Sequence, residues 1–349
     1  MSVSSLTLNY DALLTTTLFK YQPTLADTIS TSNAFFYTMK KSGAYKTVSN
    51  IGDRMQVPLM YALGSADSYS GYDSLNTTST EGMAAAFWTW SQASVPIAIS
   101  ALERKKNKGE AQILNLFQAK VKQAELGIKE FFNKQFLQGA GGASITTAYT
   151  SPVNGSVFMD PLPLLVKYDP TTVTTVGNVP QAANAWWQNQ TTNSTSATFA
   201  AFRKELQRLY NNCSKGPGGG PNLHLVDQSV FELYNAALAA LHQNPSYVRA
   251  DIPFENVAFM GKPVTWDEFV PDAQGGSATQ STTSGTWYML NTEFLEVQVD
   301  AETDFAPTPM VTPFDQDATT GHILWLGGVG TSNRRKLGVA GGIDTTIAS

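Results

Sequence analysis

The chain has 349 residues, of which 42% are hydrophobic, a content that excludes intrinsic disorder and suffices to bury a core. Its net charge of −5 argues against nucleic-acid binding as the main function. Charged residues make up only 15%, below the ~25% of an average soluble protein. Such a composition suits extensive subunit contacts, because burying charge is costly, and it suits an ordinary polar surface equally well.

Cys213 is the only cysteine, which excludes an intramolecular disulfide and a multi-cysteine metal site. Residues 1–10 lack a basic region followed by an apolar run, so we expect no secretory signal. No stretch of about 20 apolar residues occurs, so we expect no membrane span. These features together favour a protein made in a reducing cytoplasm.

The first 50 residues form a mixed leader. Residues 24–27 predict a helix start, because Thr24 and Asp27 have the spacing of a capping box. The apolar pair Phe35 and Phe36 follows, and the sequence KKSG at 40–43 predicts a helix end. The segment is too apolar for a free tail, so we expect it to lie on another surface.

Residues 51–100 predict a long β-hairpin. Apolar residues alternate from Met55 to Tyr61, and the run from 87 to 99 is rich in aromatic and β-branched residues, with Trp88 and Trp90 on one face. A proline in each arm indicates edge exposure or kinks. Arms of about 10 residues span roughly 33 Å.

The predicted hairpin carries a polar tip. Residues 64–82 are dominated by Gly, Ser, Thr, Asp and Asn and include Tyr69 and Tyr72. An isolated two-stranded ribbon is only marginally stable in water, so this hairpin needs a surface to lie on. Its neighbours in sequence offer no obvious partner.

Residues 103–138 predict an amphipathic helix of about 30 residues, or about 45 Å. Its apolar positions recur at steps of three or four and are Ile113, Phe117, Val121, Ala124, Ile128, Phe132 and Phe136. Between Glu103 and Lys134 the eight basic residues exceed the four acidic ones, which makes this the one basic element of the chain. The glycines at 139–142 predict its end.

The remainder predicts an α+β fold, because helices and strands do not alternate regularly. Helices are expected at 197–211 and 228–242. Strands are expected at 222–227, 257–269, 286–290, 294–299, 322–327 and 332–343, the last with a basic start at Arg334, Arg335 and Lys336.

No motif supports catalysis, a cofactor or a metal. The histidines His224, His242 and His322 are widely spaced, and no nucleophile motif surrounds Cys213. The glycine-rich runs lack the Gly-Lys-Ser/Thr of a phosphate loop and are interpreted as turns. The acidic pair at 315 and 317 lacks the spacing of a calcium loop.

The order of elements resembles that of the tailed-bacteriophage major capsid proteins, which have the Hong Kong-97-like fold. Local phrases strengthen the resemblance: TLADTISTSN at 24–33, MKKSG at 39–43, LNTEFL at 290–295, FAPTP at 305–309, QDA at 316–318, ILWLG at 323–327 and SNRR at 332–335. It implies an N-terminal arm (1–50), an extended hairpin loop (51–100), a peripheral domain (101–175 and 291–349) with a spine helix at 103–138, and an axial domain (176–290).

The resemblance implies a structural subunit rather than an enzyme. Pentamers and hexamers would assemble into an icosahedral head around double-stranded DNA, with a portal protein and possibly decoration proteins as partners. The subunit would be assembled in the bacterial host cytoplasm and end in the virion. Some relatives crosslink their shells through a lysine of the hairpin loop, and residues 51–102 contain no lysine, so we expect a non-covalent shell. The leader is short for a fused scaffold, so a separate scaffolding protein is expected.

The same resemblance suggests surfaces for these partners. Candidate inter-subunit contacts are Tyr69, Tyr72, Trp88, Trp90, Arg334 and Arg335. Candidate lumen-facing basic residues, which would touch DNA or scaffold weakly, are Lys105, Lys106, Lys120 and Lys122. Two alternatives remain: an encapsulin-like nanocompartment shell, which shares the fold but encloses enzyme cargo, and a cytosolic hydrolase that uses Cys213 or a histidine.

Overall fold

The structure, a computed structural model, describes residues 34–49, 51–75, 77–78, 81–106, 110–141, 145–172, 174–194, 198–241, 256–271 and 284–347. Its helices are α1 (Ala34–Lys41), α2 (Ala101–Lys106), α3 (Glu110–Gln138), α4 (Leu162–Leu165), α5 (Phe199–Ser214) and α6 (Gln228–Leu241), with 3-10 turns at Ala185–Trp187 and Arg334–Lys336. The strands are β1 (Tyr45–Val48), β2 (Met55–Met60), β3 (Met83–Trp88), β4 (Ser91–Ser100), β5 (Thr175–Val176), β6 (Val179–Pro180), β7 (Gln190–Asn193), β8 (Leu223–Val226), β9 (Asn256–Phe259), β10 (Lys262–Trp266), β11 (Ser284–Leu290), β12 (Leu295–Asp300), β13 (Ala306–Pro307), β14 (Ala318–Thr331) and β15 (Gly338–Asp344).

The first sheet is built around the long strand β14. Along one edge β14 pairs antiparallel with β4, from Ala318 opposite Ser100 to Gly327 opposite Ser91. Along the other edge it pairs with β12 and β13, and β1 lies parallel to β12. The alternation of buried and exposed residues in β4 reflects a sheet with only one face in the core.

The predicted spine helix is present as α2 and α3, with residues 107–109 outside the described part. The apolar positions from Phe117 onward are all buried, as the periodicity predicted. Phe132 packs edge-on against Trp325 of β14 at 4.7 Å, which joins the helix to the first sheet. The helix ends at Gly139, whose φ of 57° and close contact with the Thr147 carbonyl leave no room for a side chain.

The second sheet has the order β7-β15-β11-β8-β10-β9, and α5 and α6 pack against it. Helix α5 begins where Thr198 caps it, because the threonine side chain accepts a hydrogen bond from the amide of Ala201. Both helices lie close to their predicted ranges. The predicted strand at 257–269 is instead the hairpin β9–β10, which turns at Met260 and Gly261 with φ values of 51° and 74°.

The extended hairpin is shorter than predicted. Strand β2 pairs with β3, with Met55 opposite Trp88 and Met60 opposite Met83, and six residues span roughly 20 Å. The expected second arm at 87–99 is wrong, because β4 leaves the hairpin and becomes an edge strand of the first sheet. A β-branched run fits either position, so the pattern alone could not separate them.

Where the structure describes the leader, it packs on its own chain. Phe35 of α1 stacks on Phe136 of α3 at 4.3 Å, and Met39 is fully buried. Strand β1 completes the edge of the first sheet. Residues 34–48 are therefore packed, as expected, and the surface that they cover belongs to the same chain, while the capping box at 24–27 lies outside the described residues.

The C-terminal segment is divided between the two sheets. Strands β12, β13 and β14 belong to the first sheet, whereas β15 pairs with β7 and β11 in the second, so the predicted unit at 291–349 is not confined to one sheet. The expected strand at 332–343 begins only at Gly338, and the basic cluster forms the 3-10 turn Arg334–Lys336. Both sheets contribute to one continuous hydrophobic core.

Candidate assembly surfaces

The base of the hairpin packs on its own chain. Met55, Val57, Leu59, Ala86 and Trp88 form a buried cluster with Trp187. The backbone amide of Phe87 also donates to the Gly177 carbonyl at 3.0 Å. Trp88 is only 4% exposed, so its prediction as an inter-subunit contact is wrong: the indole fills the joint between the hairpin and the body.

The tip of the hairpin exposes large side chains. The stack of Tyr61 on Trp186, at 4.6 Å, is the outermost ring contact between the two in the described residues. Beyond it Tyr69 is 68% and Tyr72 107% exposed. Exposed apolar side chains accompany them at Met60, Leu63, Leu75 and Met83. A cluster of apolar side chains in water is typical of a protein contact surface.

The tip is also acidic. Residues 61–82 contain Asp67, Asp73 and Glu81 and no lysine or arginine. Asp73 stabilises a local turn, because its carboxylate accepts a hydrogen bond from the Ser70 amide at 2.9 Å. The role of Tyr69 and Tyr72 as inter-subunit contacts stays a prediction, and their exposure is the geometry that it requires.

Trp90 lies beside a groove of about 870 Å³ between β4, α3 and the segment 149–158. Its indole N–H donates to the Gly52 carbonyl at 2.9 Å, and the ring stays half-buried. Phe131, Tyr149 and Trp325 also line the groove. Trp90 therefore keeps an accessible face, and its role in subunit contacts stays a prediction.

Arg334 is fully buried, so its prediction as an inter-subunit contact is wrong. Its Nε donates to the Leu165 carbonyl at 2.9 Å, and its Nη1 donates to Gln181 Oε1 at 3.0 Å and to the Trp187 carbonyl at 3.1 Å. Its Nη2 donates to Asn189 Oδ1 at 3.0 Å. Burial lowers the pKa of this guanidinium to about 9. Within the described residues no carboxylate pairs with it, so it is a buried cation held by neutral acceptors.

The two basic neighbours of Arg334 behave differently from it and from each other. Arg335 is exposed and stays a predicted contact. Lys336 is 3% exposed, and its ammonium group donates to the carbonyls of Gly216 and Gly219 at 3.1 and 3.0 Å. The sequence showed three adjacent cations, and only the fold decides which of them reach solvent.

The candidate lumen-facing lysines lie on α2 and α3. Lys120 is partly exposed and 3.9 Å from Glu103, and Lys122 is exposed. The side chains of Lys105 and Lys106 lie outside the described part. Which side of an assembled shell these residues face stays a prediction.

Sequence reasoning did not single out Val311 and Phe314 in the loop between β13 and β14. Phe314 at its end is 108% exposed, and Val311 is 58% exposed. The signal was present: an aromatic residue sits alone in the polar context PFDQD at 313–317, where it has no local strand or helix face to join.

Two of the groups considered for hydrolase chemistry, Cys213 and His224, are in the core, whereas His322 is exposed on β14 and His242 lies outside the described residues. Burial raises the pKa of the Cys213 thiol to about 12 and lowers the pKa of His224 to about 3, so the first is a thiol and the second a neutral imidazole at pH 7. His224 Nδ1 accepts a hydrogen bond from the Trp287 indole at 3.2 Å. In the part of the chain that the structure describes, no group of three His, Cys, Asp or Glu side chains is placed to hold a metal ion. No helix among those residues has the length and apolar character to cross a bilayer.

No protein-family model matches this chain, and no curated protein matches it. Solved structures do. The capsid of cyanophage A-1(L) matches with a TM-score of 0.57 at 12% identity, covering 85% of this chain and 90% of that one. The capsid of a native GTA particle matches with a TM-score of 0.53 at 13% identity, covering 88% and 90%. The SrpI encapsulin from Synechococcus elongatus matches with a TM-score of 0.50 at 9% identity, covering 86% and 85%. The predicted fold is thereby confirmed: the chain has the α+β, Hong Kong-97-like fold of tailed-phage capsid proteins.

Proposed function

We propose that this chain is the major capsid protein of a tailed phage. The observation that carries the proposal is the match to a cyanophage capsid over 85% of the chain. Its function is mechanical, as a structural subunit of the virion that is assembled in the host cytoplasm. The burial of Cys213 and His224 supports this reading over a cytosolic hydrolase.

Assembly uses the exposed tip of the hairpin. Among the described residues an exposed apolar tip lies beyond a base that is packed on the body, which is the arrangement that a contact with a neighbouring subunit requires. At about 25 cal/mol per Å² of apolar area, several such contacts per subunit stabilise a shell, although ordering of side chains offsets part of the gain. Pentamers and hexamers that meet through these tips form the icosahedral head.

The shell is held without crosslinks of the loop-lysine kind, because residues 51–102 contain no lysine to supply the amine. Double-stranded DNA fills it and is held weakly, since the net charge of the chain is −5 and the excess of basic residues is confined to the central helices. A separate scaffolding protein, a portal protein and possibly decoration proteins complete the particle.

A second candidate is an encapsulin-like nanocompartment, which the match to the SrpI encapsulin favours. Size-exclusion chromatography of the full chain, followed by nuclease treatment of the large particles, separates the candidates. Particles produced together with neighbouring phage genes and containing nuclease-protected DNA support the capsid. Particles that contain a co-purified enzyme and no protected DNA support the nanocompartment. A small, discrete oligomer contradicts both.

A further inference from the structure

We propose that Arg334 is the positioning residue that fixes the direction of the hairpin on its own subunit before any neighbour is bound. The hairpin base and the buried guanidinium both contact one short segment, residues 176–189. That segment contacts the hairpin through Trp187, and Arg334 holds the carbonyl of the same Trp187. The role concerns orientation within the subunit.

The segment 176–189 has little regular secondary structure. It contains the second residue of β5, the two-residue strand β6 that pairs with β5, and the 3-10 turn Ala185–Trp187. A two-stranded ribbon of that length is not stable by itself in water. The Trp187 indole donates to the Val176 carbonyl at 2.9 Å, which closes the segment on itself but does not join it to either sheet.

Asn189 joins one end of the segment to Lys167, because its side-chain oxygen accepts from the Lys167 amide at 3.0 Å and its side-chain nitrogen donates to the Lys167 carbonyl at 2.7 Å. Arg334 connects the rest of the segment to the body. Its four donated hydrogen bonds reach Leu165 at the end of α4, Gln181 and Trp187 in the segment, and Asn189 beside β7. Its guanidinium carbon also lies 5.8 Å from the centre of the Trp187 ring. Only the planar fork of arginine can donate to four separate acceptors in this arrangement.

The hairpin then rests on the fixed segment. Gly177 faces the Trp88 ring so closely that a Cβ would lie 2.7 Å from it, and its φ of 58° also disfavours a side chain. The Gly177 carbonyl accepts the amide of Phe87, and the Tyr61 ring stacks on Trp186 at the outer end. Met55 and Trp88 of the hairpin also pack against Gly330 of β14. The first sheet therefore supports the base of the hairpin, and the segment held by Arg334 fixes the direction of its outer part.

Lys336 provides a matched comparison. It belongs to the same 3-10 turn, is buried, and also donates to backbone carbonyls, but those carbonyls belong to Gly216 and Gly219 after α5. A substitution at 336 therefore removes a buried cation from the turn without touching the segment under the hairpin. A general destabilisation of the turn would make the two variants equivalent.

The test is amide hydrogen exchange on unassembled, full-length subunits of wild type, Arg334→Met, Arg334→Lys and Lys336→Met. We expect the wild-type amides of 83–88 to be protected. Arg334→Met should raise exchange at least tenfold in 83–88 and 176–189, Arg334→Lys should raise it less, and Lys336→Met should raise it only near 215–220. If Arg334→Met does not fold, the Arg334→Lys variant decides by the same pattern.

Two results overturn the proposal: wild-type amides of 83–88 that exchange as in an unfolded chain, or equal local patterns for the 334 and 336 variants. If the chain has the proposed shell function, the Arg334 variants should also need a higher protein concentration than wild type to form shells. The exchange measurement needs no shell. If the chain forms no shell, the role of Arg334 can therefore still be tested. If the exchange results contradict the role of Arg334, the proposed shell function is unaffected.

Discussion

Replacing both tip tyrosines by alanine should impair shell assembly without changing the subunit. Tyr69 and Tyr72 are 68% and 107% exposed, and no ring contact with the rest of the chain is recorded for either within the described residues. Surface substitutions of this kind change the free energy of unfolding by about 0.5 kcal/mol or less. The double variant should therefore unfold at the same urea concentration as wild type.

The expected effect on assembly follows from the exposed area. Burying about 100 Å² of each ring at a subunit contact contributes about 2.5 kcal/mol, and fixing each side chain costs about 1 kcal/mol. The pair then contributes about 3 kcal/mol per contact, or roughly a hundredfold in the dissociation constant of that contact. Because every subunit carries one tip, the loss repeats at every subunit of the shell.

Light scattering against protein concentration measures this effect. Tyr69→Ala/Tyr72→Ala should need a much higher concentration than wild type to form large particles. The control is Tyr69→Phe/Tyr72→Phe, which keeps the rings, removes two hydroxyls and should assemble nearly as wild type does. Large particles of the alanine variant at the wild-type threshold would refute the reasoning, because the tips would then lie outside the contacts.

Three further predictions concern the subunit. Phe132→Ala should lower the free energy of unfolding in urea by about 3–5 kcal/mol, since the ring is 2% exposed and packs against Trp325 and other aromatic rings. Leu126→Ala, on the exposed face of α3, should change it by less than about 0.5 kcal/mol. Similar values for the two variants would contradict the packing. Burial raises the pKa of Asp160 to about 6 from an ordinary value near 3.8, so its ionisation opposes folding increasingly between those pH values. Asp160→Asn should raise the free energy of unfolding by about 3 kcal/mol at pH 7 and leave it unchanged near pH 3. An effect at both pH values, or at neither, would refute this. Asn133→Ala should lower the free energy of unfolding by about 1–3 kcal/mol at pH 7, because the Asn133 amide donates to both oxygens of the buried Asp267 carboxylate at 2.9 and 2.8 Å. An unchanged free energy of unfolding at pH 7 would show that this contact does not form.

The sequence predicted the spine helix well because its apolar residues all lie on one face of the helix. Phe117, Ile128 and Phe136 recur with the helical period, and no proline interrupts them, so period and burial point to the same structure. Helices α5 and α6 followed for the same reason. Fold recognition rested on the order of such elements together with short phrases along the chain.

The hairpin and the leader were harder because their partners are distant in sequence. Nothing local distinguishes β4 as a second hairpin arm from β4 as an edge strand, and the distinction comes from β14, more than 200 residues later. Phe35 likewise finds Phe136 only when α1 folds back on α3. Local patterns give element type, whereas pairing depends on the whole chain.

Some of the predicted inter-subunit contacts are buried within the subunit and others are exposed, and the sequence alone did not distinguish the two groups. Trp88 and Arg334 have the residue types of interface anchors, yet both are buried inside the subunit. A buried arginine surrounded by backbone carbonyls and amide side chains has no sequence signature, because its acceptors at 165, 181, 187 and 189 come from a separate part of the chain. Tyr69 and Tyr72 were easier to place, since a tyrosine in a long polar loop has few ways to be buried by its own chain.

Electron microscopy of the purified full chain tests the central claim most directly. The proposed function predicts closed, hollow icosahedral shells whose repeating unit accommodates residues 34–347 and whose hairpin tips each contact a neighbouring subunit. Uniform small particles of one or a few subunits, at concentrations where related capsid proteins would be assembled and with the scaffolding partner present, would contradict it.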